Sequence, residues 1–180
     1  QLNHHFFFNS LNNIKALVLE YPHAARRAID LLSDLLRTSL YDRKTALISL
    51  KEEMTLINDY LELEKMRFEK RLQTVIEVDD RFWGTLVLPL SIQTLVENAI
   101  KHGIAQRKSG GTIHIRVEQK GDFLKTTIQN PGKLNADQFK GLGIKNLTER
   151  LRLQFNGKAA FHLTEQPDDT VLATILTPLT

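Results

Sequence analysis

Residues 88–104 form a predicted helix that is largely apolar but carries Glu97, Asn98, Lys101 and His102. Because residues three and four apart share a helix face, Asn98, Lys101 and His102 are predicted to meet on one side, while the other side is apolar: Leu95, Val96, Ala99 and Ile100. The Asn98 amide oxygen suits a hard cation such as Mg²⁺, which is often shared with substrate phosphates. This indicates nucleotide chemistry. Taken alone, the segment also fits an ordinary solvated helix face.

Two later segments extend this pattern. Gly141 and Gly143 precede apolar residues at helical spacing, so a glycine-bearing loop is predicted to lead into a helix N-terminus. Such a terminus presents free N–H groups and a positive dipole end to phosphate. Asn130-Pro131-Gly132 ends a strand-like run at 124–129. Each segment also has a plainer interpretation, since G-x-G pairs occur in flexible turns and Asn, Pro and Gly all favour turns.

The order of these segments resembles a known superfamily. VENAIKHG, QNPG, GLGIKN and the Asp169-Thr170 pair before the last predicted strand are similar to the nucleotide-binding boxes of the gyrase–Hsp90–histidine kinase–MutL proteins. The N-terminal QLNHHFFFNSLNNI resembles the phosphoacceptor box of LytS-type sensor histidine kinases, usually Q-x-N-P-H-F-L-F-N-x-L-N. The resemblance runs from Gln1 to about Pro178. It implies transfer of the γ-phosphoryl group of ATP to a histidine.

The resemblance also implies roles for residues of the N-terminal box and of the helix predicted at 88–104. His5 matches the phosphoacceptor, because it directly precedes Phe-x-Phe-Asn, and His4 occupies the usual proline position and is the alternative acceptor. Glu97 matches the glutamate of the kinase Glu-Asn pair, where it either polarises the acceptor or holds Asn98. Asn98 would ligate Mg²⁺. Lys101 and His102 would face the ATP phosphates.

For the remaining segments, the resemblance implies adenine and lid contacts. Asn130 stands where many relatives have the adenine-reading aspartate, and Gly132 is the glycine beside it. Thr170 matches the threonine of the last box, near adenine. Gly141 and Gly143 would belong to the lid over the phosphates. The chain departs from the usual pattern at Asn130, which lacks the carboxylate charge, and at two positions often held by glycine: Leu134 and Asp169.

Helical geometry predicts where His5 points. An apolar stripe at i, i+4, i+7 and i+11 marks the packing face of a first helix: Phe7, Leu11, Ile14 and Val18. At about 100° per residue, His5 falls nearly opposite this stripe. Asn9 and Asn12 share the His5 side, and either could orient the ring. Phe6 and Phe8 are expected to be packing residues.

The predicted secondary structure changes once along the chain, from helices alone to a mixture of strands and helices. Apolar periodicity predicts three helices within residues 1–70, with Tyr21-Pro22 ending the first. From residue 71 onward, strands and helices alternate, and Lys120-Gly121-Asp122 reads as a hairpin turn. The predicted fold is therefore α+β. Residues 1–70 would form a helical dimerisation and phosphoacceptor region, and 71–180 an ATP-binding two-layer α/β sandwich of the Bergerat type, with a mixed, mainly antiparallel sheet.

Composition narrows the classes of partner and compartment. The net charge is only +3, with 24 basic and 21 acidic residues intermixed, so nucleic-acid binding is not expected. The chain has no cysteine, which excludes disulfides, thiolate catalysis and cysteine-type zinc sites. No segment is long and apolar enough to span a membrane. Because the sequence starts at Gln1, we expect the cytoplasmic portion of a bacterial membrane sensor whose N-terminal anchor is missing.

The predicted function is ATP-dependent autophosphorylation of His5 within a homodimer, followed by phosphotransfer to a response regulator. The response regulator is the partner that the resemblance implies. A short helical hairpin with an apolar stripe independently favours pairing with a second copy. One alternative is a non-catalytic ATP-binding or interaction module. Another is an ATP hydrolase of the same superfamily, but Thr94 stands where the hydrolytic branches place their water-activating glutamate.

Overall fold

The computed structural model describes residues 4–40 and 47–179. Residues 1–3 of the segment that resembles a phosphoacceptor box lie outside the described residues. The first part of the chain contains three long helices: α1 (His4–Leu17), α2 (Pro22–Leu40) and α3 (Leu50–Phe68). Helix α3 begins with a capping box, in which the Ser49 hydroxyl accepts from the Glu52 amide and the Glu52 carboxylate accepts from the Ser49 amide. The three helices predicted from periodicity are confirmed.

The packing face of α1 differs from the predicted stripe. Its buried residues are Phe6, Ser10 and Ile14, whereas Leu11 and Val18 are 53% and 49% exposed. The Phe6 ring packs on the Tyr60 ring of α3, with 4.9 Å between centroids. Because positions 6–8 are all phenylalanine, the sequence allows more than one apolar face, and the contact with α3 selects the face that contains Phe6. Of the two phenylalanines expected to be packing residues, Phe6 is buried in this chain and Phe8 is 67% exposed.

The second part of the chain contains a five-stranded sheet with shorter helices. Its strands and helices are β1 (Ile48–Ser49), β2 (Leu72–Val78), β3 (Leu86–Val87), α4 (Ser91–Ala99), a π-helix (Ile100–Ile104), β4 (Gly111–Lys120), β5 (Phe123–Pro131), α5 (Ala136–Lys140), α6 (Leu142–Gln154), β6 (Ala160–Glu165) and β7 (Thr170–Pro178). Two 3₁₀ turns, Glu69–Arg71 and Asp80–Phe82, flank β2. Strands β1 and β3 pair as a separate two-stranded ribbon.

The sheet order is β2-β4-β5-β7-β6, with only β2 and β4 parallel among these pairs. This confirms the predicted mixed, mainly antiparallel sheet. The predicted hairpin is also confirmed, because Lys120 pairs with Phe123 around Gly121, whose φ is +58°. Alternate β4 side chains are buried in the core, and β4 contacts the π-helix: the buried residues are Ile113, Ile115 and Val117. The opposite face is polar and open, lined by His114, Arg116, Lys125 and Gln129.

Helix α3 joins the two parts of the structure, because it packs against α2 on one side and α4 on the other. Its buried residues Met54, Ile57 and Leu61 belong to the same continuous hydrophobic core as Ile92 and Leu95 of α4. None of the described helices has the length and apolarity needed to cross a membrane. The helices and the sheet are therefore held together by α3, beside which the predicted site residues lie.

Candidate active site

The polar cluster of the sequence lies where α4 changes into a π-helix. The Ala105 amide donates to the Ile100 carbonyl at 2.9 Å, one residue wider than an α-helical bond. Such π segments frequently occur at functional sites. Ile100 and Ile104 anchor this turn in the core, whereas Lys101 is exposed and His102 is half-buried. The turn thus leaves the Lys101 side chain in solvent and the His102 side chain partly accessible.

Gly103 allows Asn130 to approach this turn. A Cβ atom added at Gly103 would lie 2.8 Å from Asn130 Nδ2, closer than a real Cβ contact. Asn130 itself is 6% exposed, and its Nδ2 donates to the Pro131 carbonyl at 2.9 Å. This leaves Oδ1 as the side-chain atom able to accept a hydrogen bond from a ligand. The sequence reasoning missed Gly103, although a glycine within a helical pattern often marks a close approach.

Gly132 and Asp169 shape the loop beside Asn130. The Gly132 amide donates to the Asp169 carbonyl at 2.8 Å, and Gly132 has a φ of +120° that disfavours other residues. A Cβ at Gly132 would lie 3.8 Å from the His102 carbonyl, so this loop borders the π-helix. Asp169 has a φ of +56°, which explains why glycine is common at this position and why aspartate tolerates it.

Thr170 is not brought together with Asn130. Its hydroxyl accepts from Gln129 Nε2 at 2.7 Å and donates to Asp168. Gln129 lies on the open face of the sheet, and Asn130, the next residue of β5, points to the opposite face. The Thr170 hydroxyl therefore lies on the face of the sheet opposite to the Asn130 side chain.

The glycine-bearing loop leads into α6 as predicted. Gly141 precedes the helix, and both Gly141 and Gly143 are exposed. A Cβ at Gly143 would lie 3.4 Å from Thr94 Cγ2, so the first turn of α6 packs against α4. The Thr94 hydroxyl donates to the Leu90 carbonyl at 2.7 Å, and it is therefore engaged with the helix backbone.

His102 is electrostatically coupled to the segment before α6. Burial lowers the pKa of His102, and the positive charge of Lys101 lowers it further. Asp137 of α5 acts in the opposite direction. These effects place α5 within electrostatic reach of the π-helix and favour the neutral imidazole near pH 7.

Glu97 and Asn98 lie side by side on α4, and both are half-buried. The Glu97 carboxylate accepts from Gln93 Nε2 at 3.3 Å, and burial raises the pKa of Glu97. Among the described residues, no group of three or more histidine, cysteine, aspartate and glutamate side chains could hold a metal ion. The amide oxygen of Asn98 fits Mg²⁺ only as one ligand of an ion that water and phosphate also coordinate.

His5 is exposed on α1, and a neighbour fixes its ring. Asn9 Nδ2 lies 3.0 Å from His5 Nδ1, so Asn9 is the asparagine that contacts the ring, and Asn12 is exposed. Which amide atom faces Nδ1 depends on the imidazole tautomer. As placed, Nδ2 donates to Nδ1; a 180° turn of the Asn9 amide would bring Oδ1 to Nδ1–H and leave the lone pair of Nε2 free toward solvent. The adjacent Phe6 packs on Tyr60 and thereby fixes α1 against α3.

Comparisons with known proteins agree with this architecture. The family model described as histidine kinase matches residues 1–72. The sensor protein LytS of Staphylococcus epidermidis RP62A is 32% identical over 98% of this chain, and the sensor histidine kinase BtsS of Escherichia coli K12 is 32% identical over 99%. The chain spans about a third of the length of both relatives, 32% in each case.

Solved structures share the fold at low sequence identity. The catalytic domain of histidine kinase ThkA superposes with a TM-score of 0.59 at 16% identity, over 76% of this chain and 98% of that one. The Acinetobacter baumannii histidine kinase AdeS gives 0.57 at 15% identity, over 97% and 95%. Full-length ShkA, solved in complex with AMPPNP, gives 0.53 at 14% identity, over 92% and 39%.

The sheet and its helices thus share the fold of these histidine kinase structures. The relatives then extend the assignment to the entire chain. The chain belongs to the histidine kinase family and is related to the LytS and BtsS sensor kinases.

Proposed function

We propose that this chain is the kinase portion of a two-component sensor, which transfers the γ-phosphoryl group of ATP to His5 and passes it to an aspartate of a response regulator. Residues 1–70 would supply the acceptor and the dimer contact, and 71–180 would bind ATP. The full-length protein would be anchored in the membrane by a segment N-terminal to this chain, with the kinase portion in the cytoplasm.

One observation carries the proposal: an exposed histidine in the family's acceptor position has its ring held by Asn9, on a helix that packs into the same core as the nucleotide cleft. Phe6 anchors that helix through Tyr60 of α3, and α3 also contacts α4. The acceptor and the cleft are thus built on one framework. A surface histidine without a role would not require this support.

ATP would bind in the cleft formed by the π-helix, the end of β5 and the start of α6. The Asn130 side-chain oxygen can accept from the adenine amino group, and Gly132 leaves room beside it. Lys101 and His102 would face the phosphates, with Gly141 and Gly143 in the lid. Thr170 would border the adenine end. Bound Mg²⁺, held in part by Asn98, would neutralise phosphate charge.

In the transfer step, the lone pair of His5 Nε2 attacks the γ-phosphorus, and the bond to the β–γ bridging oxygen breaks as ADP leaves. The attack needs the tautomer with the proton on Nδ1, which Asn9 would stabilise after a turn of its amide that brings Oδ1 to Nδ1–H as positive charge develops on the ring. Glu97 either polarises the acceptor or holds Asn98 through its position in α4. Little covalent help is needed, because phosphoryl transfer depends mainly on positioning and charge neutralisation.

The exposed apolar residues of the helical part support a homodimer. Phe8 and Leu11 of α1 are 67% and 53% exposed, Val18 directly after α1 is 49% exposed, and Ile29 of α2 is 47% exposed. Exposed apolar residues at helical spacing, such as Phe8 and Leu11, are typical of an interaction face. A second copy of the helical hairpin would cover it as in a helical bundle.

The test is incubation with γ-labelled ATP and Mg²⁺. We expect acid-labile label on the native chain, and no label on His5→Gln or Asn98→Ala. His4→Gln is the matched control, because His4 is exposed on the same helix turn, and it should label normally. Label that survives in His5→Gln but not in His4→Gln would move the acceptor to His4. ATP binding without labelling, also in a longer chain, would favour the non-catalytic module.

A further inference from the structure

We propose that Glu53 of α3 and Arg150 of α6 are positioning residues that together hold the turn before α4, so that the helical part of the chain sets the position of the lid helix and thereby the affinity for ATP. This inference rests on the proposed ATP binding and concerns its regulation. Neither residue belongs to the sequence-predicted site.

Glu53 is a fully buried carboxylate that binds the start of α4. Its exposed fraction is 0%, its Oε2 accepts from the Leu90 amide at 2.9 Å, and its Oε1 accepts from the Gln93 amide at 3.1 Å. Buried carboxylates are costly unless they are hydrogen-bonded or paired. A side chain of α3 therefore supplies the N-terminal acceptor of α4, a role that a local Ser, Thr or Asp usually fills.

The turn that Glu53 holds is in a conformation that its residues do not favour. Leu90, at the N-terminal end of α4, has φ +60° and ψ +14°, in the left-handed region, where a leucine is rare. Such a conformation persists only where surrounding contacts fix it. The bond from the Leu90 amide to Glu53 is one such contact.

Arg150 fixes the same turn from the other side. Its Nη2 donates to the Pro89 carbonyl at 2.7 Å, and the guanidinium is half-buried. Burial raises the pKa of Glu53 to about 7, while the bonds from Gln93, Leu90 and Ile92 and the charge of Arg150 lower it. The carboxylate and the guanidinium thus attract each other across two adjacent residues, Pro89 and Leu90.

The connection continues to the lid. Arg150 belongs to α6, whose first turn follows Gly141 and lies against α4, where a Cβ at Gly143 would be 3.4 Å from Thr94. The Thr94 hydroxyl in turn donates to the Leu90 carbonyl. Displacing the Leu90 turn would therefore move both the Pro89 carbonyl that Arg150 binds and the part of α4 against which the first turn of α6 lies. Helix α3, which packs on the acceptor helix, is the element that holds this turn.

The experiment is a double-mutant cycle with Glu53→Gln, Arg150→Met and the double variant, in which the dissociation constant for ATP with Mg²⁺ is measured by calorimetry. We expect each single variant to weaken ATP binding about tenfold. If both residues act through one turn, the double variant will bind no more weakly than the weaker single variant. Arg150→Met keeps the inference testable if Glu53→Gln does not fold, because Arg150 is only half-buried.

Glu52→Ala is the matched control for a merely structural role. It removes the capping box of α3 one residue away without touching Leu90, so it should lower thermal stability and leave the ATP dissociation constant unchanged. Hydrogen exchange in residues 142–147 should accelerate in Glu53→Gln and Arg150→Met, but not in Glu52→Ala.

Unchanged ATP affinity in Glu53→Gln and Arg150→Met, or effects that simply add in the double variant, would overturn this inference alone. If the unmodified chain failed to bind ATP, the proposed function and the inference would both be overturned.

Discussion

Asn130 lies so close to Gly103 that no other residue at position 103 leaves the Asn130 side chain in place. The amide nitrogen of Asn130 would be 2.8 Å and its Cβ 2.9 Å from a Cβ at position 103. Because Asn130 is buried and its Nδ2 bonds to the Pro131 carbonyl, it has little freedom to move aside. Gly103 thus fixes the distance between the π-helix and the end of β5.

We predict that Gly103→Ala weakens ATP binding about tenfold or more, since overpacking of this kind costs roughly 1–3 kcal/mol and here displaces the adenine-facing side chain. The measurement is titration with ATP and Mg²⁺. Gly84→Ala is the control, because no atom lies within 4 Å of its added Cβ. Equal affinities in the two variants would show that Asn130 does not contact the nucleotide.

A second prediction concerns the contact between Asn9 and His5. Asn9→Ala should slow the labelling of His5 about three- to tenfold, because loss of one exposed hydrogen bond of about 1 kcal/mol leaves the ring free to adopt other rotamers. ATP affinity should not change. The rate at saturating ATP is the quantity to measure, and Asn12→Ala, exposed on the same helix, is the control. A normal rate in Asn9→Ala would exclude an orienting role.

The elements of this chain were predictable because their periodicity is local. The alternation of Ile113, Ile115 and Val117 gave β4, and the glycine of Lys120-Gly121-Asp122 gave the hairpin. The order of the motifs that resemble the phosphoacceptor and nucleotide-binding boxes indicated the family. Such features depend on residues close together in sequence, whose spacing already determines which face is buried.

Features that depend on distant contacts were not predictable. Glu53 resembles any solvated glutamate of a helix, and only the fold shows that its carboxylate is buried against Leu90, 37 residues away. The role of Gly103 depends on its close contact with Asn130, and the packing face of α1 depends on the contact with Tyr60. In each case, the decisive partner belongs to another element, so that spacing along the chain carries no information about it.

The rotated face of α1 leads to a third prediction. Periodicity assigned Leu11 and Val18 to a packing face, and they are exposed in a single copy of the chain, which we attribute to a second copy that covers them. Leu11→Glu should convert a dimer into a monomer, as light scattering after gel filtration would show. Leu153→Glu, on α6 and 60% exposed, should leave the dimer intact. A monomeric native chain would contradict the dimer.

The last prediction concerns the pH dependence of stability. Glu64 of α3 is 2% exposed, and burial raises its pKa to about 7, while Arg67 and a hydrogen bond from Tyr60 lower it and the charge of Glu97 raises it. Because the pKa is higher in the folded than in the unfolded chain, the folded state holds the extra proton between about pH 4.5 and 7. The stabilisation from this group is therefore complete below this window and lost as the pH rises through it.

Glutamine mimics the protonated carboxyl and does not titrate. The free energy of unfolding of Glu64→Gln, measured relative to that of the native chain, should therefore be higher at pH 8 than at pH 5.5 by roughly 1–3 kcal/mol. Urea unfolding at the two pH values measures this difference. Glu62→Gln is the control. The hydrogen bond from Arg27 lowers the pKa of Glu62, so this carboxyl is ionised in both the folded and the unfolded chain between pH 5.5 and pH 8. The stability difference between Glu62→Gln and the native chain should therefore be the same at the two pH values. If the stability difference between Glu64→Gln and the native chain were also the same at the two pH values, Glu64 would be ionised in the folded chain at both.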